Sequence, residues 1–422
     1  MKLKITPYPL AGRVQAVVSK SDVHRAMICA ALADRETVLT TGASNRDIEA
    51  TAECLRALGA RLDSPDGRRW RIAPVTRPAE TGTIDCGESG STLRFLLPLI
   101  PALGLHRTVT GSGRLPQRPL SPLRELLEEH GALIGGETLP LELSGGLAPG
   151  RYSLPGNVSS QYVTGLLFAL PLLPGESEII LTTPLESAGY VEMTLRTLRR
   201  FGIRISPAEN GWRIPGGQRY RSPGGLSCEG DWSNAAFYLA AGALRSDGGP
   251  VTVGGLDPAS PQGDRAIVGL LRRFGAAVEE TAGGSVSVAP RPLRGIEIDA
   301  SAIPDLVPIL AVCGCAAEGE TRIFNAARLR LKESDRLQTV SAAIRALGGH
   351  VDELPDGLVI RGGALSGGEV DCANDHRIVM SMAVAAMLCG GPVVLDGAEA
   401  CRKSYPGFFD DYQSLGGIAD VL

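Results

Sequence analysis

Four cations stand where a folded chain seldom keeps them: Lys20 and Arg25, Arg94, and Arg377 lie at or just inside segments that are otherwise uncharged and apolar. Burying an ammonium or guanidinium is costly unless an anion partners it, and the Arg fork matches the paired oxygens of carboxylates and phosphates. A structural salt bridge would satisfy any one of them. Four together favour an anionic ligand. Small polar residues open these segments and a fourth apolar one: Ser19 and Ser21, Ser89 and Ser91, Asp375, and Ser159 and Ser160. Simple N-capping accounts for these. Yet a helix N-terminus, with unpaired N–H groups and partial positive charge, is also an anion site.

Other charges gather in connecting segments, at Arg114 to Pro119, Arg328 to Arg336 and Arg402 to Pro406. Most charge runs are solvated faces. Lys332, Glu333 and Arg336, however, precede or begin an amphipathic helix for which Ser334 is the expected N-cap.

What must position these residues is a unit that recurs six times, about 70 residues apart. Its openings are Ser19-Lys20-Ser21, Glu88-Ser89-Gly90-Ser91, Val158-Ser159-Ser160-Gln161, Asp231-Trp232-Ser233-Asn234, Ile303-Pro304-Asp305 and Asn374-Asp375-His376-Arg377. Each is followed by an apolar run, over 26–33, 95–105, 163–173, 235–244, 306–317 and 378–388. A run with no polar face predicts a buried helix. Short strand-like segments such as Ile179-Ile180-Leu181-Thr182 follow, then a helix charged on one face. That helix ends at Leu58-Gly59, His130-Gly131, Phe201-Gly202, Phe274-Gly275, Leu347-Gly348 and Leu415-Gly416, the glycine reading as a C-cap. Such a unit is too small to bury its own apolar helix, so copies must pack together. The chain of 422 residues suggests two or three domains, and three repeats in each of two fits best. The polar Gly/Pro-rich stretch 216–225, between the third and fourth copies, reads as the linker.

Composition narrows the partners. A net charge of -4 and a pI near 5.9 give no global attraction to nucleic acid. Nine cysteines without metal-ligand spacing point to a reducing cytoplasm and no zinc. The start, Met1 to Pro7, alternates like a strand and lacks a signal peptide's apolar stretch. The run 378–395 is about as long as a short membrane span, but Ser381, Gly390, Gly391 and Pro392 interrupt it and it matches five similar runs. It reads as a buried helix, with no membrane partner.

A specific resemblance now emerges. Ser19-Lys20-Ser21 with Arg25, Ser159-Ser160-Gln161, Lys332-Glu333-Ser334-Asp335-Arg336-Leu337 and Asn374-Asp375-His376-Arg377 are similar to motifs of the EPSP synthases (3-phosphoshikimate 1-carboxyvinyltransferases), in the enolpyruvyl transferase family. Gly90, Arg118, Ser187, Asp305 and Lys403 stand at matching places and in the family's order. The resemblance implies an α/β fold of two three-repeat domains, inverse α/β barrel-like, whose buried helices point their N-termini at an interdomain cleft. It also implies that the chain crosses between domains twice, giving one domain over 19–227 and another over 1–18 plus 228–422.

The implied substrates are shikimate 3-phosphate and phosphoenolpyruvate, with no cofactor or metal, in a cytoplasmic monomer. Both substrates carry a phosphate and a carboxylate, which is why one cleft would hold so many cations and helix N-termini. By resemblance, Ser159, Ser160 and Ser187 hold the shikimate phosphate, Arg25 and Ser21 its carboxylate end, and Gln161 and Lys332 its ring hydroxyls. Phosphoenolpyruvate lies against Lys20, Gly90, Arg118, Gln161, Arg336, Arg377 and Lys403, with Lys20 touching both substrates. Asp305 takes the proton of the 5-hydroxyl and Glu333 serves the methylene carbon, an acid and a base being required for addition and elimination. The catalytic set is then Asp305, Glu333 and Lys20. Its contacts divide between the two halves, and neither holds a full site.

The chain departs from the pattern at two places. Glu-Ser-Gly-Ser at 88–91 replaces Asn-Ala-Gly-Thr, so Glu88 either turns away from an anionic substrate or pairs with a cation; Arg328 stands where some members have Asn. The nearest alternative, UDP-N-acetylglucosamine enolpyruvyl transferase, uses a mobile-loop Cys in most members, and no Cys occurs between Cys86 and Cys228. An RNA-end processing enzyme on similar repeats would need a basic face, which the acidic pI opposes. A non-catalytic metabolite-binding repeat would have no use for Asp305 paired with Glu333.

Overall fold

Each apolar run forms a helix, and each is followed by an amphipathic one. The pairs are α1 (Lys20–Ala31) and α2 (Arg46–Ala57), α3 (Gly90–Ala102) and α4 (Leu123–Glu129), α5 (Ser160–Ala169) and α6 (Ala188–Arg200), α7 (Trp232–Leu244) and α8 (Ile267–Phe274), α9 (Val307–Ala316) and α10 (Arg336–Ala346), and α11 (His376–Ala385) and α12 (Phe408–Ser414). The computed structural model describes residues 1–76, 81–245 and 247–422. All of α7 and Val307 to Cys315 of α9 are buried, as helices without a polar face must be. The glycine closing each amphipathic helix is left-handed, with φ from 77° at Gly202 to 112° at Gly275. It follows the last helical turn by one residue beyond the cap in five helices and is itself the cap of α8. Only a residue without Cβ enters that region at no steric penalty.

Among the described residues, six four-stranded sheets accompany the helix pairs. In the second repeat, Thr83–Asp85 runs parallel to Arg107–Thr110, which pairs antiparallel with Leu141–Gly145, itself antiparallel to Ala132–Gly135. The third and fifth repeats have the same order from continuous chain. The others are completed by exchange. The strand before α1, Gly12–Gln15, joins Val251–Gly254 of the fourth repeat, while the strand before α7, Gly225–Ser227, joins Thr37–Thr40 of the first. The N-terminal strand Lys2–Thr6 sits between Val393–Asp396 and Ile418–Val421 in the sixth.

This exchange makes the two compact units of the chain: Lys20–Cys228, and Met1–Ser19 with Glu229–Leu422. In the latter the two crossing segments are tied together, Ser19 N–H donating to the Glu229 carbonyl (2.7 Å) and Asp231 N–H to that of Val17 (2.8 Å). The stretch 216–225 is not a free linker. Gly217 N–H donates to the Leu173 carbonyl (2.6 Å), and the hydroxyl of Tyr220, 1% exposed, donates to the Phe168 carbonyl (2.7 Å). Gly216, Gly217 and Gly224 lie in bends and Gly225 begins the strand Gly225–Ser227; the crossing comes after it.

One glycine bears directly on what the helices position. A Cβ on Gly165 of α5 would lie 2.4 Å from the Arg94 carbonyl and 3.0 Å from Pro98 Cγ, so its absence lets α3 and α5 pack closely. Among the described residues no helix is long and apolar enough to cross a membrane, and the 378–395 run is α11, a 3-10 turn and a strand. All nine cysteines are free thiols.

Candidate active site

In the 20–228 unit the N-terminal turns of α1, α3 and α5 are joined by polar side chains. Lys20, the first residue of α1, pairs with Asp47 of α2 at 2.6 Å, the two side chains 16% and 14% exposed. Arg25, one turn on, is buried. It donates to Thr194 Oγ1 (2.9 Å), the Ser21 carbonyl (2.5 Å) and the Tyr190 carbonyl (3.0 Å), and its guanidinium lies over the Phe95 and Tyr190 rings. Burial lowers its pKa to about 10, with Asp22 opposing. A cation this poorly solvated stands to gain from an anion.

Ser89 caps α3 by accepting the Thr92 N–H, and Gly90 is its first residue. A Cβ on Gly90 would come within 2.5 Å of Arg118 Nη1 and 2.8 Å of Arg94 Nη1, so glycine keeps space for two guanidinium groups at this helix start. Arg94 donates to Gln161 Oε1 (2.9 Å), and Gln161 Nε2 donates to Ser91 Oγ (2.8 Å), which links the openings of α3 and α5. Ser159 caps α5 through the Gln161 N–H, and Ser160 is buried beside it. Ser187, before α6, is left-handed (φ 53°, ψ 42°) and buried. A non-glycine residue there costs roughly 1–2 kcal/mol, a kind of outlier that concentrates at functional sites.

The other unit gathers charge around one carboxylate. Asp305 lies in the turn Pro304–Leu306 ahead of α9. Its Oδ1 accepts from Arg336 Nη1 (2.8 Å) and lies 3.7 Å from Lys332 Nζ, while Oδ2 accepts from Arg377 Nη2 (3.2 Å). Arg336, 1% exposed, also donates to Glu333 Oε2 (2.7 Å) and Asp375 Oδ2 (2.8 Å). Asp375 caps α11 through the Arg377 N–H (2.9 Å). Ala373 and Asn374 before it are both left-handed, and the Asn374 carbonyl accepts from buried Lys403 (2.7 Å).

Electrostatics follow from this packing. Burial alone would raise Asp305, but Arg377, Lys332 and Arg336 together hold it well below the usual carboxylate range. Burial would raise Asp375 too, but the charge and hydrogen bond of Arg336, together with His376, leave it lowered. Burial depresses the Lys332 ammonium to about 8, Asp305 only partly offsetting it.

Thus Asp305, Lys332, Glu333, Arg336 and Arg377 share direct contacts, with Lys403 reaching them through Asn374. In the other unit Arg118 and Arg94 converge on Gly90, Arg94 bonds Gln161, and Ser21 meets Arg25. Ser334 is not the cap of α10. Asp335 takes that place by accepting the Gln338 N–H, because the Ser334 hydroxyl is committed to Asp375 Oδ2 at 3.0 Å. Arg328 donates to the Ser301 carbonyl (2.6 Å), and the Glu88 carboxylate lies over Gly113, 2.6 Å from where a Cβ would stand. Sequence reasoning missed Asp47, Tyr190, the partner role of Asp375, and His24. The last begins a buried chain, His24 Nδ1 to Thr51 (2.6 Å), Thr51 to Thr92 (2.6 Å) and Thr92 to Ser89 (2.7 Å), in which burial and then Lys20 and Arg25 keep the imidazole neutral. Among the described residues no group of three His, Cys, Asp or Glu is placed to hold a metal ion.

The comparisons agree with one another. Residues 5–412 match the family described as EPSP synthase (3-phosphoshikimate 1-carboxyvinyltransferase). The chain is 42% identical, over 99% of its own length and 98% of the relative's, to a 3-phosphoshikimate 1-carboxyvinyltransferase of Clostridium kluyveri. It superimposes on an EPSP synthase of Acinetobacter baumannii with a TM-score of 0.83 at 26% identity, covering 100% of both chains. The enolpyruvyl transferase NikO from Streptomyces tendae shares the fold, with a TM-score of 0.78 at 17% identity over 99% of this chain and 98% of that one. The repeats, the carboxylate ringed by cations and these matches lead to one family: the chain belongs to the EPSP synthases.

Proposed function

We propose that the protein transfers the enolpyruvyl group of phosphoenolpyruvate to the 5-hydroxyl of shikimate 3-phosphate, a step of aromatic amino acid biosynthesis. The observation that carries this reading is Asp305, an ionised base held between Lys332, Arg336 and Arg377. In the addition, the 5-hydroxyl oxygen bonds to C2, its proton goes to Asp305, and Glu333 gives a proton to C3. In the elimination, C3 returns a proton to Glu333, the double bond re-forms and phosphate leaves with the proton from Asp305. Phosphoenolpyruvate engages Lys20, Gly90, Arg118, Gln161, Arg336, Arg377 and Lys403. Shikimate 3-phosphate engages Lys20, Ser21, Arg25, Ser159, Ser160, Gln161, Ser187, Asp305 and Lys332.

The depressed proton affinity of Asp305 fits this scheme. Free, it is a weak base because three cations compensate its charge. When phosphoenolpyruvate draws on Arg336 and Arg377, part of that compensation is withdrawn and Asp305 becomes more basic as the hydroxyl arrives. Cytoplasmic action on free metabolites, as a monomer, completes the reading, and the nine free thiols fit a reducing compartment.

Phosphate release from phosphoenolpyruvate is expected with shikimate 3-phosphate and not with UDP-N-acetylglucosamine; turnover with the sugar nucleotide alone would sink the assignment. Lys332 gives a second test. It sheds its proton as pH rises through about 8, so a cation is lost from the site. Affinity for shikimate 3-phosphate, measured by calorimetry, should weaken above that pH by at most about tenfold per pH unit. Lys332→Arg, charged throughout, should bind without that inflection. The same inflection in both proteins removes Lys332 from this contact.

A further inference from the structure

One buried imidazole has no part in the reaction scheme, yet hydrogen bonds link it to a helix start assigned to phosphoenolpyruvate. His24 of α1, 1% exposed, stands one turn beyond Lys20, and Thr51 of α2 one turn beyond Asp47. The two helices are thus joined at successive levels: Lys20 Nζ to Asp47 Oδ2 (2.6 Å), then His24 Nδ1 to Thr51 Oγ1 (2.6 Å). From Thr51 the contacts pass to Thr92 Oγ1 of α3 (2.6 Å) and on to Ser89 Oγ (2.7 Å), the cap of that helix. All four residues are buried within the 20–228 unit. Phe95 of α3 stands edge-on to the imidazole, the ring centroids 6.5 Å apart and the planes at 84°.

A hydroxyl has one proton to give, so such a chain has a direction. At its far end Thr92 donates its hydroxyl proton to Ser89 Oγ, which also accepts the Thr92 N–H at 3.3 Å. With that proton committed, Thr92 can only accept from Thr51, and Thr51 can then only accept from His24. The imidazole must therefore carry its proton on Nδ1. Burial, then Lys20 and Arg25, keep the ring neutral, which leaves Nε2 bare. Nε2 indeed makes no hydrogen bond among the described residues. A chain running the other way would protonate Nε2 and bury an N–H with no acceptor, a rarer and more costly defect than an idle lone pair.

We propose that His24 is a positioning residue whose Nδ1–H orients the Thr51 and Thr92 hydroxyls, so that the first turn of α3 is held on Ser89 by two hydrogen bonds. The inference rests on the assignment of phosphoenolpyruvate to Gly90 and Arg118. Gly90 directly follows the cap, where a Cβ would come within 2.5 Å of Arg118 Nη1 and 2.8 Å of Arg94 Nη1. At that spacing a small drift of the turn alters what an anion meets there. Without the Nδ1–H the hydroxyl chain loses its direction, and the cap loses one of its two hydrogens.

The test reads the tautomer and KM together. In ligand-free wild type, nitrogen NMR of the His24 ring should show a protonated Nδ1 and a bare Nε2; of the five histidines, His24 is the one whose signals vanish in His24→Asn. His24→Leu breaks the chain and should raise KM for phosphoenolpyruvate roughly 2- to 12-fold with kcat little changed, the factor that one neutral hydrogen bond corresponds to. His24→Asn sets an amide N–H at the place of Nδ1 and should keep KM near the wild-type value. Thr51→Val cuts the chain without touching the imidazole and should match His24→Leu, which also serves if His24→Leu does not fold. A protonated Nε2, His24→Asn as impaired as His24→Leu, or wild-type KM in both His24→Leu and Thr51→Val overturns the inference while leaving the reaction assignment standing. If the wild type releases no phosphate from phosphoenolpyruvate, the assignment of the site fails first and the role of His24 in it falls too, whatever the tautomer.

Discussion

Asp305→Asn should retain both substrates and turn over at least about 100-fold more slowly, the lower end of what a positioned general base contributes. The substitution keeps the shape but removes a charge and an acceptor. One oxygen of Asp305 takes the Arg336 hydrogen bond and the other that of Arg377, so an amide must set its NH2 against one guanidinium. What it cannot do is take a proton from the hydroxyl. Loss of the negative charge also frees Arg336 and Arg377, so KM for phosphoenolpyruvate should stay level or fall while kcat drops. That split marks a group whose work is done in the transition state rather than in ground-state binding. Phosphate release, with calorimetric binding of each substrate, checks it. Near-normal turnover removes Asp305 from catalysis.

The repeats were legible because their signal is local. An apolar run of 8 to 12 residues, opened by a small polar residue and followed by a helix ending at Gly, carries its structure within a single copy, and six copies reinforce it. Strand exchange has no local signal. Gly12–Gln15 pairs with Val251–Gly254, far along the chain, and nothing in Gly-Arg-Val-Gln states that its partner belongs to the fourth repeat rather than the first. The Gly/Pro-rich stretch misled for a related reason: glycine marks tight turns and mobile linkers alike, and here Tyr220 pins the stretch down.

At the site, the cations were visible because charge inside an apolar run is conspicuous, whereas their partners sit where carboxylates are ordinary. Asp47 lies in the first turn of an amphipathic helix, where acids are favoured anyway, and Asp375 reads as a plain N-cap. His24 looks like a plain core histidine until its neighbours are known. Adjacent Ser334 and Asp335 could each cap α10; only the distant claim of Asp375 on the Ser334 hydroxyl decides it. Residue types and spacing therefore indicate an anion site, while the proposed division of labour within it came from resemblance.

Arg336→Ala should differ in kind from Arg377→Ala and Arg118→Ala, although all three arginines are assigned to phosphoenolpyruvate. Each should weaken use of that substrate roughly 10- to 150-fold, as expected for loss of a charge-assisted hydrogen bond of about 1.5–3 kcal/mol, with shikimate 3-phosphate binding nearly intact. Arg336, however, is 1% exposed and bonded to Asp305, Glu333 and Asp375, the last fully buried. Removing one partner of a buried ion pair costs about 3–5 kcal/mol, because the other charge stays behind unpaired. For a unit of this size that corresponds to a fall in Tm of roughly 6–20 °C, whereas half-buried Arg118 should cost little stability. The pH dependence gives the sign. In the wild type Asp375 is held below its unfolded value, so its contribution is present above about pH 4 and lost as pH falls through the folded value. Without Arg336, burial should lift the same carboxyl above its unfolded value, so that the folded variant binds the extra proton and regains stability as pH drops. The difference in Tm between wild type and Arg336→Ala should then be larger at pH 8 than at pH 5. A constant difference, or none, would mean that Asp375 and Glu333 find other cations when Arg336 is gone.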